Sequence, residues 1–173
     1  MHFRPKLYAM LKPPRALVPR ILAARSVHGL DESYPHIRLH CTLLDLGDAD
    51  SWSASAIDEL RRGLGGIQVD PFPIAFDQIR GRTLLGRAGM PGAAELHRAL
   101  RRQAALPGIA LPDYTFNPHI SLAYKGPEPA GSHRIDPIDW LVERFHLVRS
   151  VPGRGHAELG TWPLYRRQYA LAL

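Results

Sequence analysis

The sequence predicts an α+β fold: a single domain over residues 1 to 173, built as two lobes related by approximate two-fold symmetry. Three observations carry that prediction. Short extended stretches alternate with three stretches of helical periodicity. A helix feeding a histidine-bearing strand occurs twice, ending in His40-Cys41-Thr42-Leu43 and in His119-Ile120-Ser121-Leu122, 79 positions apart. The length of 173 residues suits one domain that buries about 70% of its unfolded surface.

The elements follow in order. Residues 6 to 12 alternate and run apolar, which reads as a strand, and Pro13-Pro14 stop it. Leu17, Ile21 and Leu22 recur at helical spacing, giving a helix over residues 15 to 28. After a loop over residues 31 to 35, Arg38, His40 and Thr42 share one face of a strand that Gly47-Asp48 close. Trp52, Ala56, Ile57, Leu60 and Leu64 line one face of a second helix, ended by Gly65-Gly66. Residues 67 to 88 read as a hairpin: Phe72, Ile74 and Phe76 alternate, and Gly81 turns the chain into Thr83-Leu84-Leu85. Leu96 and Leu100 mark a third helix over residues 93 to 106, stopped by Pro107-Gly108. Residues 117 to 125 form the second motif strand, residues 126 to 132 a loop, and residues 140 to 150 and 156 to 162 two further extended stretches.

Composition bounds the environment. Hydrophobic content of 45% and charged content of 22% are ordinary for a globular protein, so disorder is not suggested. A single cysteine cannot form an internal disulfide, and no leader or membrane-length apolar run is evident, so a cytoplasmic protein is expected. The net charge of +6 suits an anionic partner such as RNA, although the arginines are scattered along the chain.

The two tetrapeptides are the strongest signal. On a strand, His40 and Thr42 point one way and Cys41 and Leu43 the other; His119 and Ser121 repeat the pattern. About 0.6 His-x-Ser/Thr matches are expected by chance in such a composition, and two occur among the nine histidines, both running into apolar residues. Each strand thus offers one imidazole and one hydroxyl to a shared cleft. By the same alternation Arg38 and Lys125 are candidates to neutralise a phosphate, and Tyr8, Tyr34 and Tyr124 are candidates to stack on a base. His36, four before His40, would share a metal with it only on a helix, and Pro35 argues against one, so no metal site is expected. Cys41, opposite in parity to His40, reads as a buried structural thiol. His97, His133, His146 and His156 have no comparable partners in the sequence.

With these motifs the chain resembles the 2H phosphoesterase superfamily, whose members carry two His-x-Thr/Ser motifs, and more closely its 2',5' RNA ligase or RNA 2',3'-cyclic phosphodiesterase branch. The likeness extends to Leu7 through Pro14, to Phe116-Asn117-Pro118 before the second motif, to Ile138-Asp139-Trp140, to Phe145 through Ser150, and to Trp162-Pro163-Leu164. Ser121 stands where many relatives have Thr, a hydroxyl for a hydroxyl. The resemblance implies two lobes, each an antiparallel sheet with helices packed outside, and an active-site cleft between them. It also implies a monomeric, metal-independent and cofactor-free phosphodiesterase, with His40 and His119 as acid and base and Thr42 and Ser121 on the phosphate oxygens. The substrate would be RNA or a nucleotide with a 2',3'-cyclic phosphate end, the product a 2'-phosphomonoester, and the reverse reaction an ATP-independent 2'-5' ligation. The alternatives are a non-catalytic RNA-binding module on the same fold, and a phosphodiesterase for 2',5'-oligoadenylate or another small cyclic phosphate.

Overall fold

The computed structural model describes residues 4–151 and 153–165. Eight strands form one sheet: β1 (Lys6–Leu11), β2 (Cys41–Asp48), β3 (Phe72–Arg80), β4 (Thr83–Gly86), β5 (His119–Ser121), β6 (Ser132–Val142), β7 (Arg144–Val151) and β8 (Gly155–Pro163). Their order is β6-β3-β4-β5-β2-β1-β7-β8, and every neighbouring pair is antiparallel. The α+β class stands. The two separate sheets do not, because β5 and β2 join the halves through the single registered pair Cys41↔Ile120. The two motif strands are therefore neighbours at the middle of the sheet.

Three helices cover it. α1 (Val18–Val27) starts just after Leu17 with a proline in its first turn, and meets β6. α2 (Ala54–Gly65) is capped by Ser53, whose Oγ accepts from the Ala56 N–H at 3.2 Å. α3 (Pro91–Ala105) packs on β2, β3 and α2 through the stripe Ala93, Leu96, Leu100 and Ala104. These join Leu60 and Leu64 of α2 and Cys41, Leu43 and Ile120 of the motif strands in one buried core. No helix among the described residues is long and apolar enough to cross a membrane.

Three sequence readings are corrected. Arg38 is not on the motif strand: residues His36–Arg38 form a 3-10 turn and β2 begins only at Cys41. The second motif strand spans only His119–Ser121, so Tyr124 and Lys125 lie beyond it. The loop read over 126 to 132 stands up to residue 131, but the single extended stretch read over 140 to 150 is two strands, β6 beginning at Ser132 and β7 at Arg144; the start of β6 was hidden because its first half is polar and carries Pro137, and at the edge of the sheet a proline removes no needed hydrogen bond.

Candidate active site

Alternation on β2 and β5 buries Cys41, Leu43 and Ile120 completely and leaves His40, Thr42, His119 and Ser121 on the opposite face, where all four line one cleft of about 540 Å³. Extending the Cys41↔Ile120 register by one residue each way sets His40 opposite Ser121 and Thr42 opposite His119. Each imidazole thus faces the hydroxyl of the other motif.

The two rings are held alike. His40 Nδ1–H donates to the Arg38 carbonyl at 2.7 Å, and His119 Nδ1–H donates to the Asn117 carbonyl at 2.7 Å. A carbonyl only accepts, so in each ring Nδ1 carries the hydrogen and Nε2 is left for the cleft. The Arg38 carbonyl also accepts from Tyr34 Oη–H at 2.9 Å, which fixes the turn ahead of His40. Burial holds the His40 pKa below the usual imidazole range; the nearby His119 and Lys12 push the same way, against the Arg38 carbonyl.

The backbone beneath the first motif needs support. A register shift between Ala9 and Met10 leaves Leu43 without a counterpart on β1. The Leu43 carbonyl accepts instead from His97 Nδ1–H at 2.7 Å, and the Thr42 carbonyl from Tyr114 Oη–H at 3.1 Å. Neither His97 nor Tyr114 is a partner that motif spacing reveals; both sit far from the motif in sequence, and only the topology brings them in.

The flanking candidates all reach the cleft wall. Tyr8, Tyr34, Tyr124, Arg38 and Lys125 line it. Tyr34 and Tyr124 meet edge to face at 4.8 Å between centroids, and burial raises the Tyr34 and Tyr8 phenols. Strand alternation is not the reason for Tyr124 and Lys125, since adjacent residues on a strand face opposite ways; the chain has left the strand and bends at Gly126, φ +79°. Cys41 is fully buried with its thiol pushed up to about 12, an inert structural position.

One wall residue was not anticipated. His156 of β8 lies edge to face on His40, with ring centroids 5.0 Å apart. Burial first, then His40, Lys12 and Arg38, press its pKa down to about 4, so it is neutral at pH 7. His146, also read as partnerless, donates from Nδ1 to Glu158 Oε2 at 3.0 Å, and Lys12 Nζ reaches the same oxygen at 2.8 Å. Among the described residues no group of three or more His, Cys, Asp or Glu side chains is placed to hold a metal ion. Among the described residues no carboxylate lines the cleft, in a chain with 16 Asp and Glu, so its wall favours an anion.

Comparison with known proteins bears on the fold and the family. No curated protein matches the chain significantly. The structure superposes on apo E. coli LigT with a TM-score of 0.76 at 25% identity, covering 95% of this chain and 100% of that one. E. coli LigT complexed with phosphate gives 0.72 at 25% identity, again over 95% and 100% of the two chains. E. coli LigT complexed with 3'-AMP gives 0.68 at 25% identity and the same coverage. The family model of the 2'-5' RNA ligase superfamily matches residues 13–154, both motifs included. The chain therefore belongs to the 2'-5' RNA ligase superfamily.

Proposed function

We propose that the protein is a cyclic phosphodiesterase that opens 2',3'-cyclic phosphate ends of RNA or nucleotides to 2'-phosphomonoesters without a metal. The observation that carries this reading is the paired anchoring of two imidazoles, each offering Nε2 to one carboxylate-free cleft opposite the other motif's hydroxyl. Complexes of E. coli LigT with phosphate and with 3'-AMP support it, since a protein of similar structure takes ligands of the right class.

In this mechanism the cyclic phosphate sits between the motifs. Neutral His40 takes a proton from water through Nε2 as the oxygen attacks phosphorus. The P–O3' bond breaks, and protonated His119 delivers its proton to the departing O3'. Each transfer is worth roughly 10²–10⁴-fold in rate. Thr42 and Ser121 donate to the non-bridging oxygens, where the transition state concentrates charge. Arg38 and Lys125, which line the cleft, neutralise substrate charge, and Tyr8, Tyr34 and Tyr124 form an aromatic wall for a base. With a 5'-hydroxyl end in place of water as the nucleophile, the same steps give 2'-5' ligation, driven by the strained cyclic ester.

The test is incubation with a cyclic-phosphate-ended oligonucleotide in excess EDTA, with products resolved as 2' or 3' esters. The reading expects a 2'-phosphate and full activity under chelation. A 3'-phosphate, or loss of turnover with EDTA, contradicts it.

A further inference from the structure

We propose that the cleft contains a second anion subsite, formed by Arg38, Ser150 and His156 on the His40 side, that takes a phosphate of the substrate other than the one undergoing reaction. This inference rests on the reading of the cleft as a cyclic phosphodiesterase site and deepens it to a substrate class: cyclic-phosphate ends that carry a further phosphate.

The placement of Arg38 argues for it. Its carbonyl accepts from both His40 and Tyr34, so the backbone is fixed one turn ahead of the proposed base. Its guanidinium lies across Gly155, φ +89°, where an added Cβ would come within 3.2 Å of both Nε and Nη2. The left-handed φ favours glycine there, and a Cβ would push the guanidinium back by a few tenths of an ångström. Eight other Lys and Arg side chains, Arg4, Lys6, Lys12, Arg61, Arg82, Arg87, Arg134 and Arg149, have carboxylate partners. The Arg38 guanidinium has no hydrogen bond or ion pair with any described residue, yet it is half-buried in a wall without carboxylates. A planar fork held in place with open donors is suited to phosphate oxygens.

The neighbouring strands complete the cluster. Ser150 of β7 pairs in register with His156 of β8, and both line the cleft beside Gly155. Neither the Ser150 hydroxyl nor the His156 ring nitrogens have a hydrogen-bond partner among the described residues. The imidazole is neutral at pH 7, so it adds a directional donor beside the guanidinium without a second positive charge. Ser150 and His156 belong to β7 and β8, which lie across β2 and β1 from β5, the strand that carries His119, so the group draws on strands other than the two motif strands. It is therefore distinct in place from the four groups assigned to the reacting phosphate.

A second phosphate comes either as the bridging phosphodiester of an oligonucleotide or as a terminal 5'-phosphate on a mononucleotide. The experiment measures kcat/KM for 2',3'-cyclic AMP, the same compound with a 5'-phosphate, and a diadenylate with a cyclic end. The wild-type protein is expected to prefer a two-phosphate substrate by about tenfold or more, and Arg38→Met to lose most of that ratio. Ser150→Ala, which disturbs the fold less, is expected to lower the same ratio by about threefold. Gain from the 5'-phosphate alone assigns the subsite to a terminal phosphate, and gain only with the diadenylate assigns it to a bridging one. No gain with either, or an equal loss on all three substrates in Arg38→Met, overturns the proposal. If no cyclic phosphate is turned over, the functional reading fails by itself. The subsite is then read by calorimetry with 3'-AMP and adenosine 3',5'-bisphosphate: tighter binding of the bisphosphate that Arg38→Met removes supports it, and equal affinities overturn it.

Discussion

His40 and His119 share a motif and an anchoring bond but not an environment. His40 is walled by His156 and lies near Lys12, whereas among the described residues the ring of His119 has the Asn117 carbonyl as its hydrogen-bond partner. In the proposed mechanism that asymmetry suits His40 to the role of base, because burial and neighbouring positive charge disfavour its protonated form. Base activity needs the neutral ring and is lost as pH falls through its pKa. The acid limb of the kcat/KM profile is therefore predicted to lie below the usual imidazole value of about 6.5, as a pH–rate series will show. Removing a phosphate donor by Thr42→Ala is predicted to lower kcat by roughly 10²-fold or more. Cys41→Ala removes a buried thiol that takes no part in the chemistry, so it is predicted to leave turnover near the wild-type value. At this scale the sequence was informative where chemistry repeats: two His-x-hydroxyl words are visible without a structure. His156 was not legible, since its contact with His40 spans 116 positions and joins elements that are not neighbours in the sheet.

Among the elements, β2 depends most on groups from outside itself. The shift in its pairing with β1 leaves Leu43 without a counterpart, and the Leu43 and Thr42 carbonyls accept from His97 and Tyr114. Tyr114→Phe strips the Thr42 carbonyl of that donor and is predicted to cost about 1–3 kcal/mol in urea unfolding, with a drop in turnover because Thr42 is then less firmly placed. The helices and the β3–β4 hairpin were legible because each carries its own local signal. For α2 that signal is a Ser cap and an apolar stripe; for the hairpin it is Gly81 at φ +54° in a two-residue turn. β6 was not legible, because an edge strand needs no continuous apolar face and tolerates Pro137. The turn His36–Arg38 was read as strand because alternation alone does not distinguish a strand from the extended residues leading into it.

Over the whole molecule, the two halves of the sheet meet at the seam that carries the motifs. Ile120, fully buried, pairs with Cys41 on one side and Leu84 on the other. Ile120→Ala is predicted to cost roughly 2–5 kcal/mol in chemical unfolding, because it opens a cavity at the seam where β5 pairs with β2. Stability also carries the signature of the His156 wall. Its folded pKa of about 4 lies below the unfolded value near 6.5, so the unfolded chain binds the proton first as pH falls. The contribution is complete above about pH 6.5 and is lost as pH drops toward 4. Thermal melts across that window are predicted to fall less steeply for His156→Asn than for the wild type. The claim on which the whole account rests is that both motif imidazoles act on one phosphorus, and single-turnover hydrolysis of a cyclic-phosphate-ended dinucleotide by His40→Ala, His119→Ala and the double variant tests it most directly. The account predicts a loss of at least about 10²-fold in each single variant, with the double variant scarcely worse than either, as for groups that work as a unit. A single variant that keeps turnover within about tenfold of wild type, well short of the loss of a proton-transfer group, would contradict it.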